Sequence, residues 1–216
     1  MSIDIIKSRL TQYNLNKGQY IEVDKSKAYK KQIVLHHTAG GSAKSSIDYW
    51  NNSADKVGTA FVIDRCGKIL QAFPSWCWAY ALGINQANYK LIESQAIQIE
   101  LANYGQLKMY GNSVHNEIYS AYGNKVSPDI VESLPISFRG GKYYEQYSNE
   151  QIDSLILLIK YLAEVYNIDA KFKSDIFDLN QRALRGDGGL YTHCSYRADK
   201  SDIFPQPNLI DALKSI

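Results

Sequence analysis

The segment that most constrains the fold is the short apolar run Ile33-Val34-Leu35, which ends at His36. The run is too short for a helix and is partly β-branched, so it predicts a buried strand over residues 32–36. Side chains alternate along a strand, so His36 and His37 point to opposite faces and only one can face a given site. Spacing alone does not decide which of the two it is.

Two more strand patterns lie downstream. Residues 59–64 and 68–72 flank an Arg-Cys-Gly turn and predict a β-hairpin. Residues 96–101 alternate cleanly, with Gln98 and Glu100 on the face opposite the apolar side chains. A buried core disfavours a carboxylate at such a position unless it has a role. The alternative for Glu100 is a surface salt bridge on an edge strand.

The strongest helix prediction in the chain begins at Ser148. Ser148 and Gln151 have the spacing of a capping box, and apolar residues then recur at helical spacing as far as Tyr166. Strands mixed with helices imply an α/β domain in which most of the sheet is covered.

Size, charge and cysteine content exclude several classes of protein. The 216 residues suffice for one domain, and the net charge of +2 is too small to indicate a nucleic-acid partner. The three cysteines are an odd number without C-x-x-C spacing, which argues against a disulfide framework and a cysteine-based zinc site and fits folding in a reducing cytoplasm. We find no signal-peptide pattern and no membrane-spanning run, so a substrate outside the cytoplasm requires release by lysis or a holin-like route.

Residues 104–147 are the least regular part of the chain. They hold seven of the 17 tyrosines, several glycines and two prolines, and no second periodic domain is visible there. We therefore predict a long insertion at about 104–147, within a domain that spans residues 31–216. An N-terminal extension over residues 1–30 precedes this domain.

His36, His193 and Asp202 form a sufficient ligand set for a catalytic zinc, which takes three protein ligands and leaves a fourth position for water. His193 lies far downstream in THCSYRADKSD, and Asp202 follows nine positions later. Asp199 is a rival ligand by its spacing, and Cys194 is a rival by its chemistry.

Five segments occur in the order that characterises one known family. They are IVLHHTAGG, AFVIDRCGKILQAFP, AIQIELANYG, the helix after Ser148, and THCSYRADKSDIFPQP, and together they cover most of residues 31–207. In these segments the chain resembles the zinc-dependent N-acetylmuramoyl-L-alanine amidases of the type-2 amidase family. That family includes phage lysins and is related to the peptidoglycan recognition proteins. The resemblance implies a single α/β domain with a central mixed β-sheet flanked by helices.

The resemblance also implies a role for each of five residues. His36, His193 and Asp202 correspond to the zinc ligands, although the spacing from His193 to Asp202 is one residue shorter than the common family pattern. Glu100 corresponds to the general base. Lys200, two residues before Asp202, corresponds to the group that stabilises the oxyanion. Without the motif, Lys200 would be interpreted as a solvated lysine in a polar loop.

One family feature is missing from the segment WAYALG. Many members carry a histidine in a W-x-H-type segment, and Ala81 stands in that region here. Trp78 and Tyr80 are the candidates for lining the substrate groove instead. The alternative for both is an ordinary place in the aromatic core.

The resemblance implies hydrolysis of the amide bond between N-acetylmuramic acid and L-alanine in peptidoglycan. It favours a monomeric, phage-type endolysin that acts on the cell wall. The alternatives are a non-catalytic peptidoglycan-binding module, a virion-associated part, and a cytosolic muropeptide-recycling amidase. The binding modules typically lose metal ligands, and this chain keeps residues at all three ligand positions.

Overall fold

The structure is a computed structural model that describes residues 6, 8–111 and 116–216. Its strands are, in chain order, Leu10–Gln12 (β1), Gln32–His37 (β2), Phe61–Ile63 (β3), Ile69–Gln71 (β4), Ala96–Leu101 (β5), Gln106–Gly111 (β6), Asn116–Tyr119 (β7), Lys125–Val126 (β8), Val131–Phe138 (β9), Gly141–Glu145 (β10) and Gly189–Thr192 (β11). The main α-helices are Ala43–Asn51 (α1), Tyr89–Gln95 (α2), Asn149–Tyr166 (α3), Gln181–Arg185 (α4) and Pro207–Leu213 (α5). Short 3₁₀ helices span Lys25–Lys27, Pro128–Ile130, Ser174–Phe177 and His193–Ser195.

The larger of two sheets is mixed, as the resemblance implies. Its strands lie in the order β1-β4-β3-β5-β2-β11. Strand β2 runs parallel to both β5 and β11, whereas β3 and β4 form the predicted antiparallel hairpin. All six residues of β2 are buried, because the strand lies inside the sheet with both faces covered. The predicted single α/β domain with a central mixed sheet is therefore confirmed.

Helix α3 forms as the sequence predicts. The Ser148 hydroxyl accepts from the backbone N–H of Gln151, and the Gln151 side chain accepts from the backbone N–H of Ser148. The apolar stripe of the helix is buried and packs against β3 and α5. None of the helices within the described residues is long and apolar enough to cross a membrane.

The N-terminal residues contribute to the main domain. Strand β1, which lies inside the predicted extension over residues 1–30, pairs with β4 at the edge of the larger sheet. Leu15 is buried in the main core.

Residues 104–147 are more regular than the sequence indicates. Strands β6–β10 form a second, antiparallel sheet in the order β8-β7-β6-β10-β9, around a small apolar cluster of Leu107, Ile118 and Val126. Several of its strands are short and largely exposed, so few positions carry the apolar alternation that reveals a strand in sequence. Tyr144 and Tyr147 are buried in the main core, which joins this sheet to the domain.

Candidate metal centre and active site

Parallel pairing of β2 with β5 sets His36 beside Glu100. The register aligns His36 with Glu100 and Val34 with Gln98, and residues in register share a face of the sheet. Glu100 and Gln98 therefore lie on the same face as His36. His37 points to the opposite face, where its Nδ1 lies 2.8 Å from the Tyr147 hydroxyl.

His36, His193 and Asp202 converge at the end of the larger sheet. His193 follows β11, the neighbour of β2, and Asp202 lies in the loop beyond it. Asp202 Oδ2 is 2.8 Å from His193 Nδ1 and 3.2 Å from His36 Nδ1, and the two Nδ1 atoms are 3.2 Å apart. All three residues are largely buried, with exposed fractions of 2%, 5% and 9%. The structure thus brings together the three residues that the sequence predicts as zinc ligands.

The hydrogen bonds of the two Nε2 atoms explain why the Nδ1 atoms of His36 and His193 face Asp202. His36 Nε2 lies 2.9 Å from Gln98 Oε1, and His193 Nε2 lies 3.0 Å from the Leu82 carbonyl. Both partners are acceptors, so each imidazole donates through Nε2 and presents its Nδ1 lone pair to the other ligand atoms. Two lone pairs and a carboxylate that face one another at these distances form a donor set that a bound cation would satisfy. The donor set fits zinc, which binds histidine nitrogen and carboxylate oxygen.

The electrostatics of His36 and Asp202 agree with this arrangement. Burial lowers the pKa of His36, and the hydrogen bond to Asp202 only partly opposes it, which keeps the imidazole in its neutral, ligating form. Burial disfavours the charge of Asp202, but His193 and His36 outweigh that effect and hold the pKa of the carboxyl well below its usual value. Asp202 is therefore ionised at neutral pH.

Glu100 and Lys200 line the same cavity of about 360 Å³ as His36, His193 and Asp202. Glu100 Oε2 is buried and has no hydrogen-bond partner among the described residues. Burial, followed by the nearby Asp202 charge, raises the pKa of Glu100 well above its usual value, while Lys200 acts in the opposite direction. A buried carboxylate oxygen without a partner is costly, and a ligand or water in the cavity would satisfy it.

The rival ligands point elsewhere. Asp199 is exposed and forms a bidentate ion pair with Arg197, at 2.5 and 3.0 Å. The Cys194 thiol donates to the carbonyls of Lys200 and Asp202, and burial raises its pKa to about 12. Of the three sequence candidates in this loop, only Asp202 directs a side-chain oxygen at the two imidazoles.

Trp78 and Tyr80 are half-buried. Among the described residues, neither of them lines the cavity. Their rings pack edge to face with centroids 5.2 Å apart, and Tyr80 also stacks on Tyr89. Ala81, which stands in the region of the missing family histidine, does line the cavity. The substrate-binding role of Trp78 and Tyr80 stays a prediction.

A second cavity, of about 370 Å³, adjoins the first. The two lie side by side and share Thr38, Ala39, Trp50 and Glu100 as lining residues, and we call the two together the groove. Tyr49 of α1 and Tyr122 of the 104–147 segment also line the second cavity, and their side chains are 72% and 76% exposed. The groove thus has two accessible aromatic rings at a distance from His36, His193 and Asp202.

Sequence reasoning missed the acceptors that orient the two histidines. Gln98 could have been found, because it shares a face of β5 with Glu100. The Leu82 carbonyl could not be predicted as an acceptor, because every residue has a backbone carbonyl and the sequence does not show which one meets His193. Glu93, which accepts a hydrogen bond from Gln98 at 2.7 Å, was hidden in the polar sequence of α2.

The family of the chain follows from a direct comparison. A model of the Amidase_2 family, described as N-acetylmuramoyl-L-alanine amidase, matches residues 26–205. The chain belongs to this family of peptidoglycan amidases. A search of curated proteins found no match.

Solved structures share the fold at low sequence identity. PlyL is similar with a TM-score of 0.52 and 14% identity, over 95% of this chain and 96% of that chain. The hydrolase AmiA from Staphylococcus aureus, solved with its ligand, has a TM-score of 0.53 and 12% identity, over 98% of this chain and 86% of that chain. The N-acetylmuramoyl-L-alanine amidase LysC from Clostridium intestinale URNW has a TM-score of 0.50 and 16% identity, over 95% of each chain. These likenesses support the fold described above.

Proposed function

We propose that the protein is a zinc-dependent N-acetylmuramoyl-L-alanine amidase of the phage endolysin type. The observation that carries the proposal is the convergence of His36 Nδ1, His193 Nδ1 and an Asp202 carboxylate oxygen, which all lie within 4.8 Å of one another. In the proposal these three residues hold the metal. Three protein ligands leave one coordination position open, as in catalytic rather than structural zinc sites.

The chemistry divides between the metal and two side chains of the cavity. When bound, zinc supplies Lewis acidity, which polarises a carbonyl and lowers the pKa of water. Glu100 accepts the proton of the attacking water and passes it to the leaving amine of L-alanine. Lys200 offers its positive charge to the carbonyl oxygen as negative charge develops there.

The environment of Glu100 suits a proton carrier. A carboxyl whose pKa is raised by burial holds a proton more readily than an exposed one, so it can return that proton to a leaving group. Positive charge beside it, from Lys200 and from a bound cation, favours the ionised form that begins the reaction.

The proposed substrate is polymeric peptidoglycan. The groove extends from the three ligands past Glu100 to Tyr49 and Tyr122, so a substrate longer than the scissile amide can lie along it. Tyrosine offers a flat apolar face and a hydroxyl, which suits contacts with sugars or peptides. A segment of the insertion thus forms part of the groove wall in this proposal.

The test is a product analysis on purified sacculi. We expect new L-alanine amino termini to appear, to be lost after removal of the metal with a chelator, and to return on addition of Zn²⁺. Glu100→Gln is expected to retain zinc and the fold but to reduce hydrolysis by roughly two to four orders of magnitude, the usual scale for a general base. Binding of sacculi without release of amino termini would instead identify a peptidoglycan-binding module.

A further inference from the structure

A single buried carboxylate lies behind both histidines of the proposed metal centre. Glu93, on α2, is 1% exposed, and its carboxylate oxygen accepts a hydrogen bond from Gln98 Nε2 at 2.7 Å. Gln98, which is 4% exposed, in turn accepts at Oε1 from His36 Nε2 at 2.9 Å. Glu93 thereby reaches the first histidine through one side chain.

The same carboxylate reaches the second histidine through the backbone. The N–H of Leu82 donates to Glu93 Oε1 at 3.0 Å, and the N–H of Ala81 donates to the same carboxylate at 3.3 Å. The Leu82 carbonyl accepts from His193 Nε2 at 3.0 Å. Glu93 therefore fixes the peptide segment whose carbonyl orients His193.

The direction of these hydrogen bonds follows from the chemistry of the groups. Both oxygens of Glu93 face N–H donors, so the carboxylate accepts at both. Gln98 must then direct its amide nitrogen to Glu93 and its carbonyl oxygen to His36, because a glutamine side chain has one donor end and one acceptor end. An acceptor at His36 Nε2 requires a hydrogen on that nitrogen, which leaves the lone pair on Nδ1.

We propose that Glu93 and Gln98 are positioning residues, which together hold His36 and His193 with Nε2 protonated and Nδ1 directed at the metal position. This inference rests on the proposed metal centre, and it assigns a role to two residues outside that centre. Partners of metal-binding histidines fix the tautomer and the ring orientation, and their loss typically weakens metal affinity about 10- to 100-fold.

One test needs neither a variant nor bound metal. Long-range ¹H–¹⁵N NMR spectra of histidine-labelled protein report which ring nitrogens carry hydrogen. We expect Nε2 of His36 and of His193 to be protonated both before and after addition of Zn²⁺. A His36 ring with an unprotonated Nε2 would overturn the proposal, whether or not the protein binds zinc.

A second test measures Zn²⁺ affinity by competition with a chelator, together with the visible absorption spectrum of the Co²⁺-substituted protein. Gln98→Leu is expected to bind Zn²⁺ about 10- to 100-fold more weakly than wild type and to alter the Co²⁺ spectrum. Gln32→Leu is the matched control. Gln32 is a fully buried glutamine on β2, but its amide donates to the carbonyls of Ala183 and Asp187 rather than to a ligand.

An exchanged pair separates positioning from mere packing. The double variant Glu93→Gln with Gln98→Glu reverses the hydrogen bond between the two residues but keeps an acceptor at His36 Nε2 and an acceptor for the Ala81 and Leu82 N–H groups. We expect it to recover Zn²⁺ affinity close to that of wild type, whereas either single substitution is weaker.

The outcomes distinguish this inference from the proposed function. Equal Zn²⁺ affinity in Gln98→Leu and Gln32→Leu overturns the positioning role, even if the enzyme is zinc-dependent. Failure of the wild-type protein to bind Zn²⁺ overturns the proposed function and the metal-directed part of this inference, and the NMR spectra then decide only whether His36 has the tautomer that Gln98 selects. If Gln98→Leu does not fold, the exchanged pair and the NMR spectra decide.

Discussion

At the scale of single residues, Glu100 is a polar group that the fold stabilises poorly. One of its carboxylate oxygens is buried without a partner among the described residues, and its pKa is raised well above the usual value. Its place on the cavity wall beside His36, His193 and Asp202 accounts for this cost under the proposed function. As the proposed general base, Glu100 would be kept free of the hydrogen bonds that would otherwise stabilise it.

This cost predicts the pH dependence of stability in the metal-free protein. The pKa of Glu100 is higher in the folded state than in the unfolded state. Between these two pKa values, the folded state keeps a proton on Glu100 that the unfolded state has released. Wild-type stability therefore falls as pH rises from about 4.5 through the folded-state pKa. Glu100→Gln carries no such charge, so its advantage over wild type grows with pH across this window.

Thermal unfolding in the presence of a chelator measures this difference. At neutral pH we expect Glu100→Gln to gain on the order of 1 kcal/mol, or about 2–4 °C in Tm. Below about pH 4 the two proteins should unfold at nearly the same temperature. A variant less stable than wild type at neutral pH would show that the carboxylate makes a favourable contact.

The sequence made some of these residues visible and hid others. His36 stands out because it ends an apolar strand pattern. Glu100 stands out because it is a carboxylate within a strand pattern, where packing in a core does not require one. Asp202 could be chosen as the acidic ligand only with the family resemblance, because Asp199 and Cys194 are rival candidates close to it in sequence. Glu93 was not predictable, because a glutamate in a short polar helix looks solvated until tertiary packing buries it.

At the scale of elements, a partly buried ion pair connects the loop after β2 to the 104–147 segment. Arg65 donates to both oxygens of Glu145, at 2.5 and 2.7 Å, and also to the carbonyls of Gly40 and Gly41. Glu145 is 1% exposed and further accepts from the backbone N–H of Tyr104. One ion pair thus fixes both ends of β6–β10 relative to the loop that lines the groove.

We therefore expect Glu145→Ala to destabilise the protein strongly. It leaves a half-buried guanidinium and a backbone N–H without their acceptor. The loss should be on the order of 2–3 kcal/mol, less than for a fully buried pair, because the Arg65 side chain is 30% exposed. Urea unfolding of Glu145→Ala and of wild type measures this difference in the free energy of unfolding.

The matched control is Glu117→Ala, in the same segment. Glu117 pairs with Lys125, but both side chains are more than half exposed, so its loss should change stability far less than the loss of Glu145. Equal effects of the two substitutions would contradict the structural role assigned to Glu145.

Regular elements were predictable where one face meets the main core. Strand β5 has the predicted bounds, and α3 begins with the predicted capping box. The second sheet was not predicted, since its strands bury only a small cluster and its exposed tyrosines obscure the alternation. Its folding depends on pairing with neighbouring strands and on anchors such as Tyr144, which no local pattern reveals.

At the scale of the whole molecule, the groove combines contributions from distant parts of the chain. The larger sheet supplies His36 and Glu100, α1 supplies Tyr49, and the turn between β7 and β8 supplies Tyr122. In the proposed function, the insertion therefore contacts a long substrate without taking part in the reaction.

Tyr122→Ala tests this contact. We expect hydrolysis of intact sacculi to fall roughly three- to tenfold, the equivalent of about 1 kcal/mol, because one exposed ring is lost from the groove. Hydrolysis of a short muropeptide should change much less, since it does not extend to Tyr122. Rates on both substrates provide the comparison.

Tyr110→Ala is the control for Tyr122→Ala. Tyr110 is also exposed and lies in the same sheet, but its ring packs on Tyr119 and is not among the residues that line the groove. If both variants behave alike on both substrates, the insertion has no specific role in binding the polymer.

The most direct test of the central claim is the zinc content of the purified protein at neutral pH. We expect close to one zinc per chain in wild type, loss of that zinc in His36→Ala and in Asp202→Asn, and retention in Asp199→Asn. Wild-type protein that binds no zinc, even after Zn²⁺ is added, would contradict the account.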